Sequence, residues 1–268
     1  MFVTRLISGI VLLILAVVTI VSGGIILFGT LLLTSLIGVR EIYKVMKVEE
    51  KGSIALAVVG YLGVAAYYTL LFLAVDTNYV MVATVFVLTA LMVVYVFAYP
   101  KYNSEQVMAA FFGFIYVAVM LSYIYQTRNL ENGSFLVWLI FLCSWGCDTC
   151  AYSVGMLIGK HKMSPVLSPK KSVEGAVGGV IGAALLGGIY AAVVGRYMGK
   201  TPIIEYAVIC AIGALIAMVG DLAASAIKRN HDIKDYGTLI PGHGGVMDRF
   251  DSVIFTAPVI YFLALLIL

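Results

Sequence analysis

Long apolar runs follow one another along almost the whole chain and leave no polar stretch long enough to fold as a separate domain. Of the 268 residues, 62% are hydrophobic and only 12% are charged, and the mean hydropathy is +1.06. A helix that crosses a bilayer needs about 20 apolar residues. The sequence therefore predicts an all-α fold, a polytopic integral membrane helical bundle of about nine transmembrane helices. The predicted spans are residues 6–22, 24–39, 54–75, 79–99, 107–125, 134–158, 176–195, 203–226 and 252–268.

We interpret residues 1–268 as a single membrane domain. Residues 1–130 are predicted to form N-terminal scaffold helices that face lipid, and residues 131–268 to form the catalytic helices and the cytoplasmic loops. Residues 6–39 carry no charge and are interrupted only at residues 22–24. The sequence therefore does not decide whether this region forms one span or two. We expect a retained first helix rather than a signal peptide, because no small-residue cleavage site is followed by a polar chain.

Basic residues are distributed unequally between the two sides of the predicted bundle. Fourteen lysines and arginines fall on the side of the N-terminus, Arg5 and Lys51 among them. Only Arg128, Arg196 and Lys200 fall on the opposite side. Because cytoplasmic loops carry an excess of Lys and Arg, the sequence predicts that the N-terminus and the polar loops face the cytoplasm. We expect a multi-pass protein of the cell inner (plasma) membrane whose active site also faces the cytoplasm.

Two carboxylates, Asp148 and Asp221, interrupt predicted spans. A carboxylate inside a membrane costs about 2.5 to 3.5 kcal/mol on insertion scales, so each needs a partner or a function. One interpretation is a buried carboxylate satisfied by neighbouring hydroxyls, for which Thr149 and Ser225 are available. The other is a functional site near the cytoplasmic face, where water can reach.

The polar segment 225–251 joins the last two spans and combines cations, glycines, a histidine and paired aspartates. Asp248 and Asp251 are three residues apart, so a helix that begins there places both on one face. Paired carboxylates repel unless a proton or cation lies between them, and oxygen ligands suit Mg²⁺. The alternative is a solvated turn whose basic residues only set the topology. His243, next to flexible glycines, is a candidate donor to phosphate.

A second basic loop precedes the seventh span and contains Lys170 and Lys171 in a compact polar group. Its lysines suit either attraction to anionic lipid headgroups or binding of a polyphosphate, and the residues alone leave both open. The glycines that come next are four residues apart, which favours close helix packing over a phosphate loop, because no GK[ST] ending is present. Four cysteines, predicted to be small buried thiols, lie in apolar segments: Cys143, Cys147, Cys150 and Cys210.

Carboxylates for a divalent metal and cations for phosphate, at one membrane face, together predict phosphoryl or nucleotidyl transfer to a lipid. The polar segments resemble those of the CDP-diacylglycerol synthases, or phosphatidate cytidylyltransferases. The resemblance covers about the second half of the chain; Ser172 stands where Thr is commoner. The residues that match the family signature are Ser225, Lys228, Arg229, Lys234, Asp235, Gly237, Pro241, His243, Gly244, Gly245, Asp248, Arg249 and Asp251. The upstream matches are Trp145, Asp148, Thr149, Ala151, Tyr152, Gly155, Ser168, Pro169, Lys170, Lys171, Glu174 and Gly175.

The resemblance implies that CTP and phosphatidic acid react to give CDP-diacylglycerol and pyrophosphate, with Mg²⁺ as cofactor and K⁺ as a possible second ion. It also implies a homodimer in a lipid bilayer, with no nucleic acid as partner. The implied metal ligands are Asp221, Asp248, Asp251 and Asp148. The implied catalytic residues are Asp221, Asp248, Asp251, Lys170, Arg249 and His243. The implied substrate-binding residues are Ser168, Lys170, Lys171, Ser172, Ser225, Lys228, Arg229, Lys234, Gly244 and Gly245.

Two other functions compete with this prediction. A CTP-dependent polyprenol or lipid kinase shares a membrane site for nucleotide and lipid, but it releases CDP rather than pyrophosphate. An ion or lipid transporter also uses intramembrane carboxylates such as Asp148 and Asp221. Inverted repeats with broken helices are typical of transporters, and none is evident in the sequence.

Overall fold

The computed structural model describes residues 2–49, 54–73 and 77–268, with the side chains of residues 2–6 and 77–79 left out of the description. Within these ranges nine helices and one β-hairpin follow one another. The helices are α1 Phe2–Ser22, α2 Gly24–Val45, α3 Ala55–Phe72, α4 Thr77–Phe97, α5 Ser104–Arg128, α6 Gly133–Ile158, α7 Val173–Met198, α8 Ile203–Asn230 and α9 Met247–Ile267, and the strands are β1 Lys162–Ser164 and β2 Ser168–Ser172. Lys51 and the side chain of Arg5, both used in the orientation argument, lie outside the described residues.

Eight of the described helices are long and apolar enough to cross a membrane, and α1 adds a shorter apolar stretch, Ile7–Ser22. The predicted all-α, polytopic membrane fold of about nine helices is confirmed. The first apolar region forms two helices, because the chain reverses at Gly23 and Gly24. Both have positive φ angles, 61° and 48°, which glycine adopts without steric cost.

The chain folds as two compact units. The first unit comprises Met1–Ser122 and Asp235–Asp248, and the second comprises Tyr123–Lys234 and Arg249–Leu268. The sequence divides the chain near residue 130, whereas the structure places the segment 235–248 with the N-terminal helices. The interpretation of the whole chain as one membrane domain stays a prediction.

The core of the first unit is built around buried tyrosines. Tyr43 on α2 packs against Gly113, where the absence of a side chain makes room for the ring, and its hydroxyl donates to the backbone oxygen of Ala110 at 2.7 Å. The hydroxyl groups of Tyr68 and Ser35 lie 2.7 Å apart. Because each hydroxyl has a partner, these large aromatic residues can be buried without the cost of an unsatisfied polar group.

The core of the second unit depends on the glycines of α7. A methyl group on Gly178 would lie 2.6 Å from Val154, and one on Gly179 would lie 2.9 Å from the Sγ of Cys147, so α7 and α6 pack with their backbones close together. The predicted role of these glycines in helix packing is confirmed. Of the four cysteines, Cys143, Cys147 and Cys210 are buried as predicted, and Cys150 is half-buried.

The opposite face of α7 is apolar and exposed. Val177, Ile181, Leu185, Ile189 and Val193 follow one another at intervals of four residues, and each is more than half exposed. A continuous apolar stripe of this length is unfavourable in water but suits hydrocarbon. The stripe therefore agrees with a helix that packs through its glycines and turns its aliphatic side chains toward lipid.

Several helices extend beyond the predicted spans, because a helix can continue beyond its apolar part; α5 and α7 each extend by three residues at both ends. Helix α2 ends at Val45 rather than near residue 39, α8 ends at Asn230 rather than near residue 226, and α9 begins at Met247 rather than near residue 252. Basic residues in the last turn of α8 are favourable there, since the C-terminal end of a helix carries partial negative charge. The polar group before α7, for which no secondary structure was predicted, forms the antiparallel hairpin of β1 and β2.

The replacement Gly178→Ala should lower the thermal stability of the purified protein in detergent, because the added methyl group overlaps Val154. Overpacking typically costs about 1 to 3 kcal/mol. Gly188→Ala is the matched control on the same helix, since a methyl group there would meet its nearest neighbour at 3.5 Å. Equal melting temperatures for the two variants, measured by intrinsic fluorescence, would contradict the close approach of α7 and α6.

Candidate active site

Three carboxylates from three helices lie near one another in the second unit. Asp148 is on α6, Asp221 on α8 and Asp251 on α9; all three are half-buried, and each repels the other two electrostatically. Gly220 allows α8 and α9 to approach here, since a methyl group on it would lie 2.8 Å from the backbone oxygen of Asp251. Like charges this close need compensation from cations.

Cations of the same unit supply part of this compensation. The Nζ of Lys171 forms an ion pair with Oδ2 of Asp221. Lys171 and Arg249 both attract the carboxylate of Asp148, and Lys228 attracts that of Asp251. These groups form the carboxylate–cation cluster, which we define as Asp148, Asp221, Asp251, Lys171, Lys228 and Arg249.

The Nε of Arg249 is buried and has no hydrogen-bond partner among the described residues. A buried guanidinium N–H without a partner is costly, and it is geometrically suited to an anionic oxygen such as that of a phosphate. Trp145 fixes the backbone of this residue: its indole N–H donates to the oxygen of Arg249 at 3.4 Å, and its ring lies edge-on to Phe250, with 6.4 Å between centroids.

The hairpin β1–β2 and the start of α7 carry Lys171 to this position. Ser172 is the N-cap of α7, and its hydroxyl accepts a hydrogen bond from the backbone N–H of Gly175 at 3.1 Å. In the first turn of α7, Glu174 accepts hydrogen bonds from the backbone N–H groups of Lys160 and His161, which closes the base of the hairpin. Lys171 therefore extends from a short, anchored strand rather than from a flexible loop.

A π-helical turn precedes Asp148. Residues Leu142–Gly146 form this wide turn within α6, and the α-helix resumes at Cys147. The extra residue in a π turn rotates the subsequent side chains relative to a regular α-helix, and such turns are frequent at functional sites. The π turn thus sets the direction of the Asp148 side chain.

The first unit contains residues 235–246, the part of the link between α8 and α9 that we call the glycine loop. Gly242 and Gly244 have φ angles of 76° and 87°, and the backbones of Ile240 and Gly244 pair across the turn. His243 projects from this turn, and its Nδ1 lies 2.7 Å from the hydroxyl of Ser8 on α1. Positive φ angles favour glycine, so the two glycines are required for the tight turn.

Two carboxylates accept hydrogen bonds from backbone N–H groups of the glycine loop and of Met247, the first residue of α9. Oδ2 of Asp248, which is only 6% exposed, accepts hydrogen bonds from Tyr236 at 2.8 Å and Gly245 at 2.9 Å. Glu41 on α2 accepts hydrogen bonds from Val246 at 3.0 Å and from Met247 at 2.8 Å. The amide of Gly245, predicted to bind substrate, donates to a carboxylate in this structure.

The predicted site residues are distributed between the two units. The second unit brings together the carboxylate–cation cluster, and the first unit holds Asp248, His243, Gly244 and Gly245. The predicted convergence of Asp248 with Asp221 stays a prediction. Lys170, Arg229 and Lys234 are exposed, Ser168 is half-buried, and Ser172 and Ser225 are buried. Their predicted contacts with substrate also stay predictions.

Comparisons with known proteins show the family of the chain. The sequence model described as the cytidylyltransferase family matches residues 3–267. The chain belongs to the cytidylyltransferase family. A protein named phosphatidate cytidylyltransferase from Bacillus subtilis (strain 168) is 39% identical over 153 residues, which cover 56% of this chain and 55% of the relative.

Two further relatives carry the same name. One from a Synechocystis strain is 39% identical over 143 residues, 53% of this chain and 47% of the relative. One from Rickettsia bellii is 33% identical over 165 residues, 60% of this chain and 71% of the relative. The chain thus spans about half the length of the Bacillus and Synechocystis relatives.

A cytidylyltransferase needs a means of neutralising phosphate, and a divalent metal ion is one such means. Within residues 2–49, 54–73 and 77–268, no group of three or more His, Cys, Asp or Glu side chains is arranged to hold a metal ion. Mg²⁺, however, is usually bound by one or two carboxylates together with water and substrate phosphates rather than by a complete protein cage. One or two of the carboxylates of Asp148, Asp221 and Asp251, together with substrate phosphates, have the oxygen chemistry that suits a Mg²⁺ of this kind.

Glu41 is the residue of the glycine-loop region that sequence reasoning missed. The intramembrane carboxylate rule, which selected Asp148 and Asp221, would also have selected Glu41 if the second span had been extended past residue 39. The signal was present in the sequence, since the apolar residues Ile42 and Tyr43 follow Glu41, and the structure buries both on α2. The predicted span ended just before Arg40, where charge first appears.

The ion pair of Lys171 and Asp221 should be visible in a double-mutant cycle. Lys171→Met leaves Asp221 uncompensated beside two other carboxylates, so the free energy of unfolding should fall, and adding Asp221→Asn should restore part of it. The coupling energy between contacting charged residues is about 0.5 to 3 kcal/mol, to be measured by denaturation in detergent. Lys170→Met, which removes the exposed neighbouring charge, should show no coupling to Asp221→Asn. Additive effects of Lys171→Met and Asp221→Asn would contradict the ion pair.

Proposed function

We propose that the protein is a phosphatidate cytidylyltransferase, which transfers CMP from CTP to phosphatidic acid and releases CDP-diacylglycerol and pyrophosphate. The observation that carries this proposal is the carboxylate–cation cluster, which the apolar helices α6, α8 and α9 form together with strand β2 in a chain of the cytidylyltransferase family. Charges placed there have few uses in a purely structural membrane protein. The names of the Bacillus, Synechocystis and Rickettsia relatives support the choice of lipid acceptor.

In the proposed reaction a phosphate oxygen of phosphatidic acid attacks the α-phosphorus of CTP. The new P–O bond forms as the bond from the α-phosphorus to the bridging oxygen breaks, and pyrophosphate leaves with that electron pair. The attacking phosphate is already anionic at neutral pH, so no strong general base is needed. Catalysis of this kind consists mainly of positioning and of charge neutralisation.

We propose that basic residues of the cluster provide that neutralisation. The buried Nε of Arg249 offers a fixed donor to a phosphate oxygen, and Lys171 and Lys228 add positive charge beside the carboxylates. We propose that a phosphate of CTP displaces part of the contact between Lys171 and Asp221. The site would then exchange an internal ion pair for a pair with substrate, which limits the cost of desolvating the lysine.

We propose that Asp221, Asp248 and Asp251 contribute ligands to Mg²⁺, with Asp148 as a further ligand or as support, and that K⁺ is a second ion. A bound Mg²⁺ would polarise the phosphate oxygens and balance their charge. In this proposal Asp221 pairs with Lys171, as in the structure, before substrate binds, and with Mg²⁺ when substrate is bound.

The membrane face and the assembly are part of the same proposal. The excess of basic residues on one side of the bundle supports a cytoplasmic active site, where CTP is available, in the bacterial plasma membrane. Lipid substrate can reach a site at the ends of membrane helices by lateral movement. A homodimer remains a proposal based on family resemblance.

The test is a turnover assay with purified protein, labelled CTP and phosphatidic acid in mixed micelles, with Mg²⁺ present or chelated. We expect equimolar CDP-diacylglycerol and pyrophosphate, and loss of both products after chelation. Release of CDP with a phosphorylated lipid would replace the proposal by a kinase. The absence of any nucleotide turnover would favour a transporter.

Asp221→Asn should reduce this turnover at least about a hundredfold, because removing a group that acts on transition-state charge typically costs about that much. The matched control is Asp232→Asn, which changes an exposed aspartate in the turn after α8. Its φ of 53° suits asparagine equally well, so folding is preserved. Activity of Asp221→Asn close to that of Asp232→Asn, in protein with normal melting behaviour, would remove Asp221 from the mechanism.

Lys170→Ala should raise the KM for CTP while leaving the KM for phosphatidic acid unchanged, since we propose that Lys170 contacts the nucleotide phosphates. An exposed lysine bound to phosphate contributes as a point charge, so the expected change is several-fold. Lys162→Ala on β1 of the same hairpin is the control for a general effect of surface charge. An unchanged KM for CTP would assign Lys170 to the lipid surface or to topology.

A further inference from the structure

Glu41 holds the end of the glycine loop and the beginning of α9. Its two carboxylate oxygens accept separate hydrogen bonds, Oε1 from Val246 and Oε2 from Met247, which is the first residue of the helix. Glu41 is 7% exposed and lies 205 residues from Val246 in sequence. A bidentate contact between a buried carboxylate and two consecutive backbone amides fixes both position and orientation of that backbone.

The glycines of the loop are shaped around this carboxylate. Methyl groups on Gly237 or Gly245 would both overlap the carboxylate of Glu41. Only glycine at these two positions lets the loop backbone reach the carboxylate from both sides. The glycine loop therefore has a specific partner, and that partner belongs to the N-terminal half of the chain.

Charge makes the contact stronger than an ordinary capping interaction. The N-terminus of a helix carries partial positive charge on its unpaired N–H groups, and an anion there is stabilising. In an apolar setting the same carboxylate would be costly without these donors. Glu41 and the start of α9 thus stabilise each other, and the amides of Val246 and Met247 are unavailable to a phosphate while Glu41 occupies them.

The backbone that Glu41 holds also orients Asp248. Met247 immediately precedes Asp248, and Gly245, which packs against Glu41, donates its N–H to Oδ2 of Asp248. Asp248 also accepts a hydrogen bond from Tyr236 at the other end of the loop. A displacement of residues 245–247 would therefore change the direction in which the Asp248 carboxylate points.

We propose that Glu41 is a positioning residue for the proposed metal ligand Asp248, and that it acts through the backbone N–H groups of Val246 and Met247. The inference rests on the proposed function, because it assigns Asp248 to Mg²⁺. It adds a role for helix α2, which carries Glu41, whereas the sequence resemblance identified the N-terminal helices only as membrane spans. Glu41 itself touches neither substrate nor metal in this proposal.

The first measurement is hydrogen–deuterium exchange of peptides covering residues 240–250 in wild-type protein and in Glu41→Gln. Glutamine keeps the size of the side chain but replaces one acceptor oxygen by an NH₂ group, so it cannot accept from both amides. We expect faster exchange of these peptides in Glu41→Gln. Glu49→Gln is the matched control, because Glu49 bonds to Tyr61 and not to the glycine loop.

The second measurement is the Mg²⁺ dependence of turnover at saturating CTP and phosphatidic acid. We expect the Mg²⁺ concentration for half-maximal activity to rise roughly tenfold in Glu41→Gln, the lower end of the usual effect of removing an outer partner of a metal ligand. The KM for phosphatidic acid should stay as in wild type. A loss of fold alone would instead lower the amount of active protein and leave the Mg²⁺ dependence unchanged.

Gly237→Ala provides a second route if Glu41→Gln does not fold, since it retains Glu41 and displaces its carboxylate from the loop side. In Gly237→Ala, as in Glu41→Gln, we expect faster hydrogen–deuterium exchange of residues 240–250 and a higher Mg²⁺ concentration for half-maximal activity. Unchanged exchange, or changed exchange with an unchanged Mg²⁺ dependence, would overturn the proposal. If wild-type protein makes no CDP-diacylglycerol, the proposed function fails by itself, and the exchange experiment still decides whether Glu41 holds the loop.

Discussion

Charge buried in an apolar bundle must be compensated by the protein, because hydrocarbon provides neither water nor counter-ions. The two units meet this requirement in different ways. In the second unit, side-chain cations compensate three carboxylates, with Lys171 paired directly to Asp221. In the first unit, backbone amides compensate two carboxylates, because backbone N–H groups donate hydrogen bonds to Glu41 and Asp248.

The difference between these two kinds of compensation matters for chemistry. An ammonium or guanidinium group can exchange a carboxylate for a substrate phosphate, so the carboxylate–cation cluster can respond to a ligand. A backbone amide in a tight glycine turn has no such freedom. The first unit is therefore suited to holding Asp248 in one orientation, and in the proposed function the second unit binds and releases phosphate.

Glycine makes both arrangements geometrically accessible. Gly220 lets α8 and α9 approach beside Asp221 and Asp251, and Gly178 lets α7 pack on α6, which carries Asp148. Gly245 in turn lets the glycine loop close on Glu41. Gly220 and Gly245 therefore permit close approach at sites of buried charge, whereas Gly178 serves helix packing.

Much of the fold was predictable, because membrane helices are encoded locally by runs of apolar residues. The helix ends were predicted less well: α2 and α8 continue into charged residues, and the hairpin that carries Lys171 has no apolar pattern to indicate it. For the candidate site, the intramembrane cost rule selected Asp148 and Asp221, and the structure pairs Asp221 with Lys171. The rule missed Glu41, since the predicted span ended two residues earlier.

The sequence by itself determined the class of fold, the family signature and the kinds of group available for chemistry, because these depend on composition and on short-range spacing. Tertiary structure decided the pairings: Lys171 with Asp221, and Glu41 with the amides at the start of α9. These contacts depend on the rotation of each helix about its axis and on the approach of residues as far apart in sequence as Glu41 and Met247. Local periodicity contains no information on either, so only the folded chain specifies which charge compensates which.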